Sequence, residues 1–224
     1  MKDPTRIPRV LDALRQVWEG QPDLELAALW GIIGNHGVSW GTDDEALLAV
    51  LGEISATYPA RLDDASFAGR LAIIDTQSPA RRVTIDGDGR RVTVRARSGD
   101  MIPATWLASS LKTVVASAPL ILTDGNGIDH RLGVVERIHV VDKPAPGTDG
   151  TWGVLLERDT GEGTDFAVIG HGVRIFRAGR RNVETENHTY DRILRAEVGQ
   201  PLQIERARRV SRLGVVTEIF PLDV

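Results

Sequence analysis

The 224-residue chain contains no cysteine, which excludes a disulfide framework, a thiolate zinc site and a cysteine nucleophile. Nothing in it exploits an oxidising compartment, and this favours an intracellular setting. The longest apolar runs, such as 72–74 and 134–135, are far too short to span a membrane, and no signal-peptide apolar region follows the first residues. We therefore expect a soluble cytoplasmic protein that does not enter membranes.

The sequence also lacks the glycine-rich loops that hold phosphates, in both the Gly-x-x-x-x-Gly-Lys-Ser/Thr and the Gly-x-Gly-x-x-Gly forms. Nucleotide hydrolysis and dinucleotide cofactors therefore have no support. No two histidines stand four residues apart, as a helical metal-binding pair does. The five histidines are His36, His130, His139, His171 and His188. We expect no metal and no cofactor.

Charge and composition divide the chain into two parts. Residues 1–77 carry 6 Lys and Arg against 12 Asp and Glu, a net charge of −6, whereas residues 78–224 carry 21 against 19, a net charge of +2. The first part is rich in Leu and Ala, and the second in Val, Arg, Thr and Gly. A Ser-Pro step within 75–80 separates them. We predict an α+β protein with a small helical domain over 1–77 and a β-rich domain over 78–224.

Apolar residues at three- and four-residue steps predict helices in the first domain. The first helix ends at Gly20, and its core stripe is Ile7, Val10, Leu11, Leu14, Val17 and Trp18. The second helix ends near Asn35, and its apolar face is Leu26, Leu29, Trp30 and Ile33. The third begins at a capping box formed by Thr42 and Glu45. A fourth helix is expected around 65–74.

The same region contains a Trp, a Pro-acid-Leu-x-Leu step and a Thr-Asp-Asp helix start. The residues are Val17-Trp18, Pro22-Asp23-Leu24-Glu25-Leu26, Gly37, Thr42-Asp43-Asp44-Glu45 and Leu48. This pattern resembles that of the small, uncharacterised bacterial proteins of the YihD type. The resemblance covers roughly residues 6–54. It implies a bacterial protein and carries no activity with it, because that family has none assigned.

The second domain is predicted to consist mostly of strands, because apolar and polar residues alternate around glycine-rich turns. The expected strands are 82–85, 91–94, 152–156, 166–169 and 173–176. The turn at 86–89 contains two glycines that can supply the positive φ angles of a tight hairpin. Two further stretches, 104–117 and 190–198, have helical character.

One short sequence motif occurs twice in this domain, once in each half, and we call it the echo motif. Pro119-Leu120 followed by Arg131-Leu132-Gly133-Val134-Val135 recurs about 81 residues later as Pro201-Leu202 followed by Arg212-Leu213-Gly214-Val215-Val216. We infer two similar repeats of SH3-like barrel character, a scaffold more typical of binding than of catalysis. Residues 92–142 and 174–223 are then expected to share one backbone, with Val134 and Val215 buried.

Three short motifs have a catalytic or metal-binding reading beside a structural one. The Asp-Thr-Gly at 159–161 has the letters of an aspartic protease but follows charged residues, so a hairpin turn is the better interpretation. The loop 124–129 spaces oxygens like a calcium loop, yet Val135 stands where the closing acid is needed, and again a turn is favoured. His130 and His171 are possible general acid or base residues without a nucleophile motif.

The remaining indication of function is a segment rich in arginine. Residues 171–212 contain ten Arg, five acidic residues and no Lys, a net charge of +5. The predicted partner-binding residues are Arg174, Arg177, Arg180, Arg181, Arg206, Arg208 and Arg209. Planar guanidinium groups there can engage carboxylates in paired hydrogen bonds. Three other interpretations stay open: solvated strand faces, arginines paired within the fold, and docking onto the acidic N-terminal domain of the same chain.

These observations favour a non-enzymatic intracellular binding protein whose partner is another protein. The first alternative is a nucleic-acid-associated regulator, although few aromatic residues lie near the arginines and the net charge of the whole chain is −4. The second alternative is a hydrolase that uses His130 or His171. The sequence leaves the oligomeric state open.

Overall fold

The structure is a computed structural model, and it describes residues 3–98, 101–144, 150–158, 163–179 and 182–223. The chain divides into two compact units. Unit 1 comprises Met1–Val92 and Trp106–Asp142, and unit 2 comprises Thr93–Thr105 and Lys143–Val224. Each unit is described by itself below.

Unit 1 begins with three helices: α1 (Arg6–Glu19), α2 (Leu26–Asn35) and α3 (Asp44–Thr57). They share a small core formed by Val17, Leu29, Ile33, Leu51 and Ile54. Gly20, at the end of α1, lies so close to the end of α3 that an added Cβ would stand 2.1 Å from the Tyr58 carbonyl oxygen. Only glycine therefore fits there. No helix within the described part of the chain is long and apolar enough to cross a membrane.

The three predicted helices are confirmed, but two details of them were wrong. On α1 the predicted core stripe is mostly at the surface: Val17 is buried, whereas Ile7, Leu11 and Trp18 are exposed. A helix this short in a three-helix cluster buries only one narrow face. At the start of α3 the cap is Asp43, whose carboxylate accepts from the Ala46 amide at 2.9 Å, rather than the predicted pair of Thr42 and Glu45.

The rest of unit 1 is built on strands, two of which, β4 and β5, continue into unit 2. They are β1 (Arg61–Leu62), β2 (Arg70–Gln77), β3 (Arg81–Asp86), β4 (Arg91–Ala96), β5 (Ala104–Ser110), β6 (Val114–Val115), β7 (Pro119–Asp124) and β8 (Asp129–Asp142). A closed barrel has the order β2-β3-β4-β5-β7-β8, and β1 pairs separately with β6. The predicted α+β class with barrel character is therefore confirmed.

The fourth helix predicted around 65–74 is wrong. A short 3-10 turn, Asp64–Phe67, precedes β2, whose residues 71–76 are all buried. Because consecutive residues of a strand point to opposite faces, burial of all of 71–76 means that neither face of β2 is solvated, and the alternation that marks a strand is lost. The helical stretch predicted at 104–117 is wrong as well, since β5 and β6 occupy it.

The turn between β3 and β4 also differs from the prediction. The positive φ angle there belongs to Arg90, at 51°, and not to a glycine. Gly87 is required for a different reason, because a Cβ at this position would lie 2.2 Å from the Phe67 carbonyl oxygen.

Unit 2 contains seven strands of one antiparallel sheet. They are β9 (Thr151–Glu157), β10 (Thr164–Ile169), β11 (Val173–Ala178), β12 (Val183–His188), β13 (Arg192–Arg195), β14 (Pro201–Arg206) and β15 (Arg209–Asp223). Their order is β12-β11-β10-β9-β15-β14-β13. The predicted strands at 152–156, 166–169 and 173–176 are confirmed, whereas the helical stretch predicted at 190–198 is wrong, since β13 begins within it.

This sheet must curl back on itself. Its two outermost strands, β12 and β13, are consecutive in the chain and are separated by 189–191 alone. Three residues bridge at most about 14 Å. In a flat sheet the first and seventh strands would stand about 29 Å apart. The curled sheet encloses an apolar core that includes Val154, Leu156, Ile175, Leu202 and Val216.

The echo motif falls on two long strands, β8 and β15, each with a glycine at positive φ: Gly133 at 110° and Gly214 at 107°. The preceding strands begin with prolines that hold equivalent partners, Pro119 opposite Val134 and Pro201 opposite Val215. The predicted burial of those two valines is wrong. They are half-buried, and the next residue along each strand, Val135 or Val216, faces the core instead.

The stretch 75–80, predicted as a linker, lies inside unit 1. Asp75 and Thr76 are buried in β2, and 78–80 form the turn into β3. The Asp75 carboxylate accepts hydrogen bonds from Arg82 and Arg137, on the neighbouring strands β3 and β8. That the chain behaves as two domains over 1–77 and 78–224 stays a prediction.

Candidate functional site: the arginine hairpin

The predicted arginines separate into two kinds in the structure. The first kind lies on the β14–β15 hairpin, which we call the arginine hairpin and define as residues 203–212. Arg206 and Arg209 face each other across its end, and Ala207 and Arg208 form the two-residue turn. The second kind lies on β11 and is engaged in the fold.

The turn of the arginine hairpin has an unusual sequence for its backbone. Ala207 and Arg208 have φ angles of 48° and 65°, the left-handed pair that two-residue hairpins normally form with Asn-Gly or Asp-Gly. A residue with a Cβ costs about 1–2 kcal/mol in that conformation. One contact offsets part of this cost, since the Ala207 amide donates to the Asp191 carboxylate at 2.7 Å. The tip is thus held in a defined position.

The side chains of the hairpin arginines are exposed. Within the described ranges, the guanidinium groups of Arg206, Arg208, Arg209 and Arg212 have no hydrogen bond or ion pair. Arg192 on the neighbouring β13 differs, because it binds the Glu205 carboxylate at 2.7 Å. The hairpin therefore presents four guanidinium groups with their full hydrogen-bonding capacity.

Arg177, by contrast, is held within the sheet. It donates to the buried Asp165 carboxylate at 3.0 Å and lies 2.8 Å from Glu186, while Arg158 takes the other oxygen of Asp165 at 2.7 Å. Burial works against the charged form of Arg177, but its bonds to the two carboxylates outweigh this and raise its pKa. Arg177 is therefore paired within the fold, which was one of the alternative interpretations of the arginine-rich segment.

Arg174 is also part of the sheet surface, where its guanidinium lies 4.9 Å from the centroid of the Phe176 ring. This is the distance of a cation–π contact. Arg180 and Arg181 lie outside the described residues. The predicted arginines that the structure describes are thus not one uniform face: Arg174 and Arg177 have partners in the sheet, whereas the guanidinium groups of Arg206, Arg208 and Arg209 have none among the described residues.

Strand register shows at which end of the sheet the arginine hairpin lies. Glu157, the last residue of β9, pairs with Thr164 of β10 and with Val215 of β15. The first six residues of β15 and the end of β14 therefore extend beyond the end of β9. Ala178 and Val183, which pair at the β11–β12 connection, lie at this same end of the sheet.

Aliphatic side chains accompany the cations. Val210 on the hairpin is 54% exposed, and Ile193 and Leu194 of β13, the strand that pairs with β14, are also exposed. A surface that combines free guanidinium groups with exposed aliphatic carbon can bind carboxylates through paired hydrogen bonds and cover apolar area at the same time.

The histidine candidates have a simpler structural role. His130 packs its ring against Trp106, with centroids 4.6 Å apart, and its Nε2 lies 3.0 Å from Asp124 Oδ2. The other oxygen of Asp124 accepts from the amides of Asn126 and Ile128, so loop 124–129 is a hydrogen-bonded turn, as expected. No group of three metal-ligating side chains occurs among the residues that the structure describes.

His171 lies exposed in the turn between β10 and β11, and in the described part of the chain no carboxylate is bonded to it. Residues 159–161, the Asp-Thr-Gly motif, lie outside the described residues. A hydrolase based on His130 or His171 stays a prediction for which the described geometry supplies no nucleophile.

We expect the turn at Asp124 to give a pH-dependent contribution to stability. The hydrogen bond from His130 and those from the turn amides lower the pKa of Asp124. Because its folded pKa is below its unfolded value, the contribution is complete above about pH 4 and is lost as the pH falls through the folded pKa. In urea denaturation, wild type should exceed Asp124→Asn in stability by a constant amount at neutral pH, and the gap should close in acid. A gap that persists to the lowest pH measured would contradict this.

Comparison with known proteins adds no family to this description. No protein-family model matches the chain, and no curated protein or solved structure matches it either. The resemblance of residues 6–54 to YihD-type proteins therefore stays a prediction.

Sequence reasoning missed two features of the site. It did not separate free arginines from paired ones, because the partners of Arg177 come from two neighbouring strands. It also assigned Trp18 to the core stripe of α1, although this residue is 38% exposed. No sequence signal identifies the first feature. The second had one, because the apolar residues of α1 span a wider arc than a small helical core can cover.

Proposed function

We propose that the protein acts by binding rather than by catalysis, and that the arginine hairpin receives a protein partner rich in carboxylates. The observation that carries this proposal is the set of four exposed arginines, without an ion pair among the described residues, on a hairpin whose turn is held in a costly conformation. A cost of this kind persists where the surrounding structure or a function requires the geometry. The same surface has no feature of a catalytic centre among its described residues.

The exposed aliphatic residues favour a protein over a nucleic acid. Val210, Ile193 and Leu194 suit an apolar partner surface, whereas a single-strand binder stacks bases on aromatic rings. The overall negative charge of the chain also disfavours a general phosphate binder. Nucleic-acid association is the second candidate, because free arginines on an exposed hairpin also suit phosphates.

We further propose that β2–β8 and β9–β15 are two copies of one unit, as the echo predicts. Followed round the closed barrel from β5, the order is β5-β4-β3-β2-β8-β7 and back to β5. The curled sheet follows the same order if β12 and β13 correspond to the two halves of β5. The matched prolines and positive-φ glycines of β8 and β15 support this correspondence.

Duplication would make the β7–β8 and β14–β15 hairpins equivalent, and they differ in charge. In the first, Asp124 binds His130 and Asp129 binds Lys112 at 3.1 Å, so two of its charged residues are paired locally, and Arg131 is the one exposed arginine of its described strands without an ion pair. The second carries the free arginines. This difference between two otherwise similar hairpins supports the second as the binding face.

A charge reversal tests the proposal. Arg208→Glu/Arg209→Glu should lose its partners in a pull-down from native cytoplasm, because carboxylates now face carboxylates. The thermal midpoint should stay nearly unchanged, since exposed charges contribute little to stability. Partners would be compared by mass spectrometry with and without nuclease treatment.

Arg212 and Arg131 provide a matched control, because they hold the same position in the two echo motifs. Arg212→Glu should weaken recovery, and Arg131→Glu should leave it at the wild-type level. Undiminished recovery by the double variant would refute the hairpin as the binding face. Recovery that depends on intact nucleic acid and falls steeply with salt would instead establish the nucleic-acid alternative.

A further inference from the structure

A second exposed surface lies on the helices of unit 1 and has the opposite charge. We call it the acidic aromatic patch and define it by Trp18, Asp23, Glu25, Leu26 and Trp30. The Trp18 indole nitrogen donates to the Leu24 carbonyl at 2.7 Å, which places the ring beside the turn that carries both acids. Leu26 and Trp30 lie one turn apart on α2 and therefore share a face.

The apolar side chains of this patch are exposed, although neighbouring apolar side chains of α2 are buried. Trp18, Leu26 and Trp30 are 38%, 37% and 45% exposed, while their neighbours Leu29 and Ile33 are fully buried. Exposed tryptophans are typical of interfaces, where they supply large apolar area and a flat face for cations. An uncovered patch of this kind indicates a partner.

In the helical region the described arginines have acidic partners, whereas several acids have no arginine partner among the described residues. Each of its described arginines is bonded to an acid: Arg6 to Asp44, Arg9 to Glu45, Arg15 to Asp12, and Arg61 to Asp63. Five acids of this region have no arginine partner within the described ranges: Asp3, Asp23, Glu25, Asp43 and Glu53. The unpaired charges among these described residues are negative, and Asp23 and Glu25 belong to the patch.

The arginine hairpin is complementary to this patch in charge, in its capacity to stack on aromatic rings and in its exposed apolar carbon. Its free charges are positive, its guanidinium groups can stack on indole rings, and Val210 supplies apolar carbon to meet Leu26. Both surfaces are exposed on the same chain, so every molecule carries one of each. The partner chemistry demanded by the hairpin is thus present on another copy of the protein.

We propose that the partner of the arginine hairpin is the acidic aromatic patch of a second copy of this chain. This rests on the proposed function of the hairpin and names its partner. The contact joins two different surfaces, so it leaves one hairpin and one patch free on each dimer and continues head to tail into rings or filaments.

The first test is the mass of the purified full chain in sedimentation velocity over a wide concentration range. The mass of wild type should rise with concentration, and raising the salt to about 0.5 M should weaken the association because charge pairs are screened. Arg208→Glu/Arg209→Glu and Leu26→Ser/Trp30→Ala should each weaken it by about tenfold or more. Arg131→Glu, outside both surfaces, should behave as wild type.

Mixing the two variants gives the decisive result. The hairpin variant keeps its patch and the patch variant keeps its hairpin, so an equimolar mixture should form a heterodimer and nothing longer. Restoration of the charge pair within one chain, by combining Asp23→Lys/Glu25→Lys with Arg208→Glu/Arg209→Glu, should restore self-association, because that chain carries no native hairpin and no native patch. Circular dichroism would establish that each variant is folded.

Two results would overturn the inference, and they separate it from the proposed function. A wild type that stays monomeric at every concentration, while the hairpin variant still loses partners in the pull-down, leaves the binding face standing and removes the second copy as its partner. Self-association that survives both variants shows that neither surface carries it. If the pull-down is also unaffected, the proposed function fails as well.

Discussion

Replacing Gly133 by alanine is expected to destabilise the barrel by about 3 kcal/mol or more, through strain and steric conflict together. Its φ of 110° is one that residues with a side chain rarely adopt. An added Cβ would also lie 2.7 Å from the Gln77 carbonyl oxygen, which belongs to the neighbouring strand β2 and cannot move without disturbing the barrel. Urea denaturation would measure the loss.

Two further glycines calibrate this result. Gly214 has a nearly identical φ of 107°, but an added Cβ would lie 3.2 Å from its nearest neighbour, the Glu157 carbonyl oxygen, so Gly214→Ala should cost less than Gly133→Ala. Gly125, with open space around it, should tolerate alanine within about 0.5 kcal/mol. Equal stability of all three variants would show that neither long strand depends on its glycine.

Truncating Leu29 to alanine is expected to cost about 2–5 kcal/mol, the range for a fully buried leucine. Leu29 is completely buried in a core of only five buried residues, so little surrounding structure can close over the cavity. Loss of helical circular dichroism at a lower temperature than in wild type would report the effect.

Leu11 is the matched control for Leu29, since it is a leucine of the same helical region that is 58% exposed. Leu11→Ala should change the stability by less than about 0.5 kcal/mol. An equal loss in the two variants would contradict the burial pattern and return Leu11 to the core that the sequence predicts for it.

Helices α1 to α3 were predictable because a 3.6-residue apolar period survives whether or not every apolar residue is buried. The period does not tell which part of a wide apolar arc meets the core, and for this reason Ile7 and Trp18 were misplaced. The prediction of a helix in place of strand β2 was wrong for the opposite reason. Burial on both faces removed the alternation, and Leu71 to Ile74 became indistinguishable from a helix segment.

The sequence indicated which segment of the chain contains the candidate site, but it did not indicate which of its arginines are free at the surface. Arginine enrichment over 171–212 is visible in the sequence, whereas the pairing that distinguishes Arg177 from Arg208 depends on cross-strand neighbours. Asp165 stands twelve residues from Arg177 in the chain and reaches it only because β10 and β11 pair. Side-chain pairing across a sheet follows from register, which local composition does not encode.

The position of β15 has a consequence for how unit 2 comes to be folded during synthesis. This strand, Arg209–Asp223, is the last of the seven to leave the ribosome, yet it lies inside the sheet, between β9 and β14. Until it emerges, β9 and β14 each keep an open edge, and the hairpins made earlier cannot close around their apolar residues. Unpaired edges of this kind are where nascent chains aggregate. Unit 2 is therefore open to edge-to-edge association until β15 has emerged and paired with both neighbours.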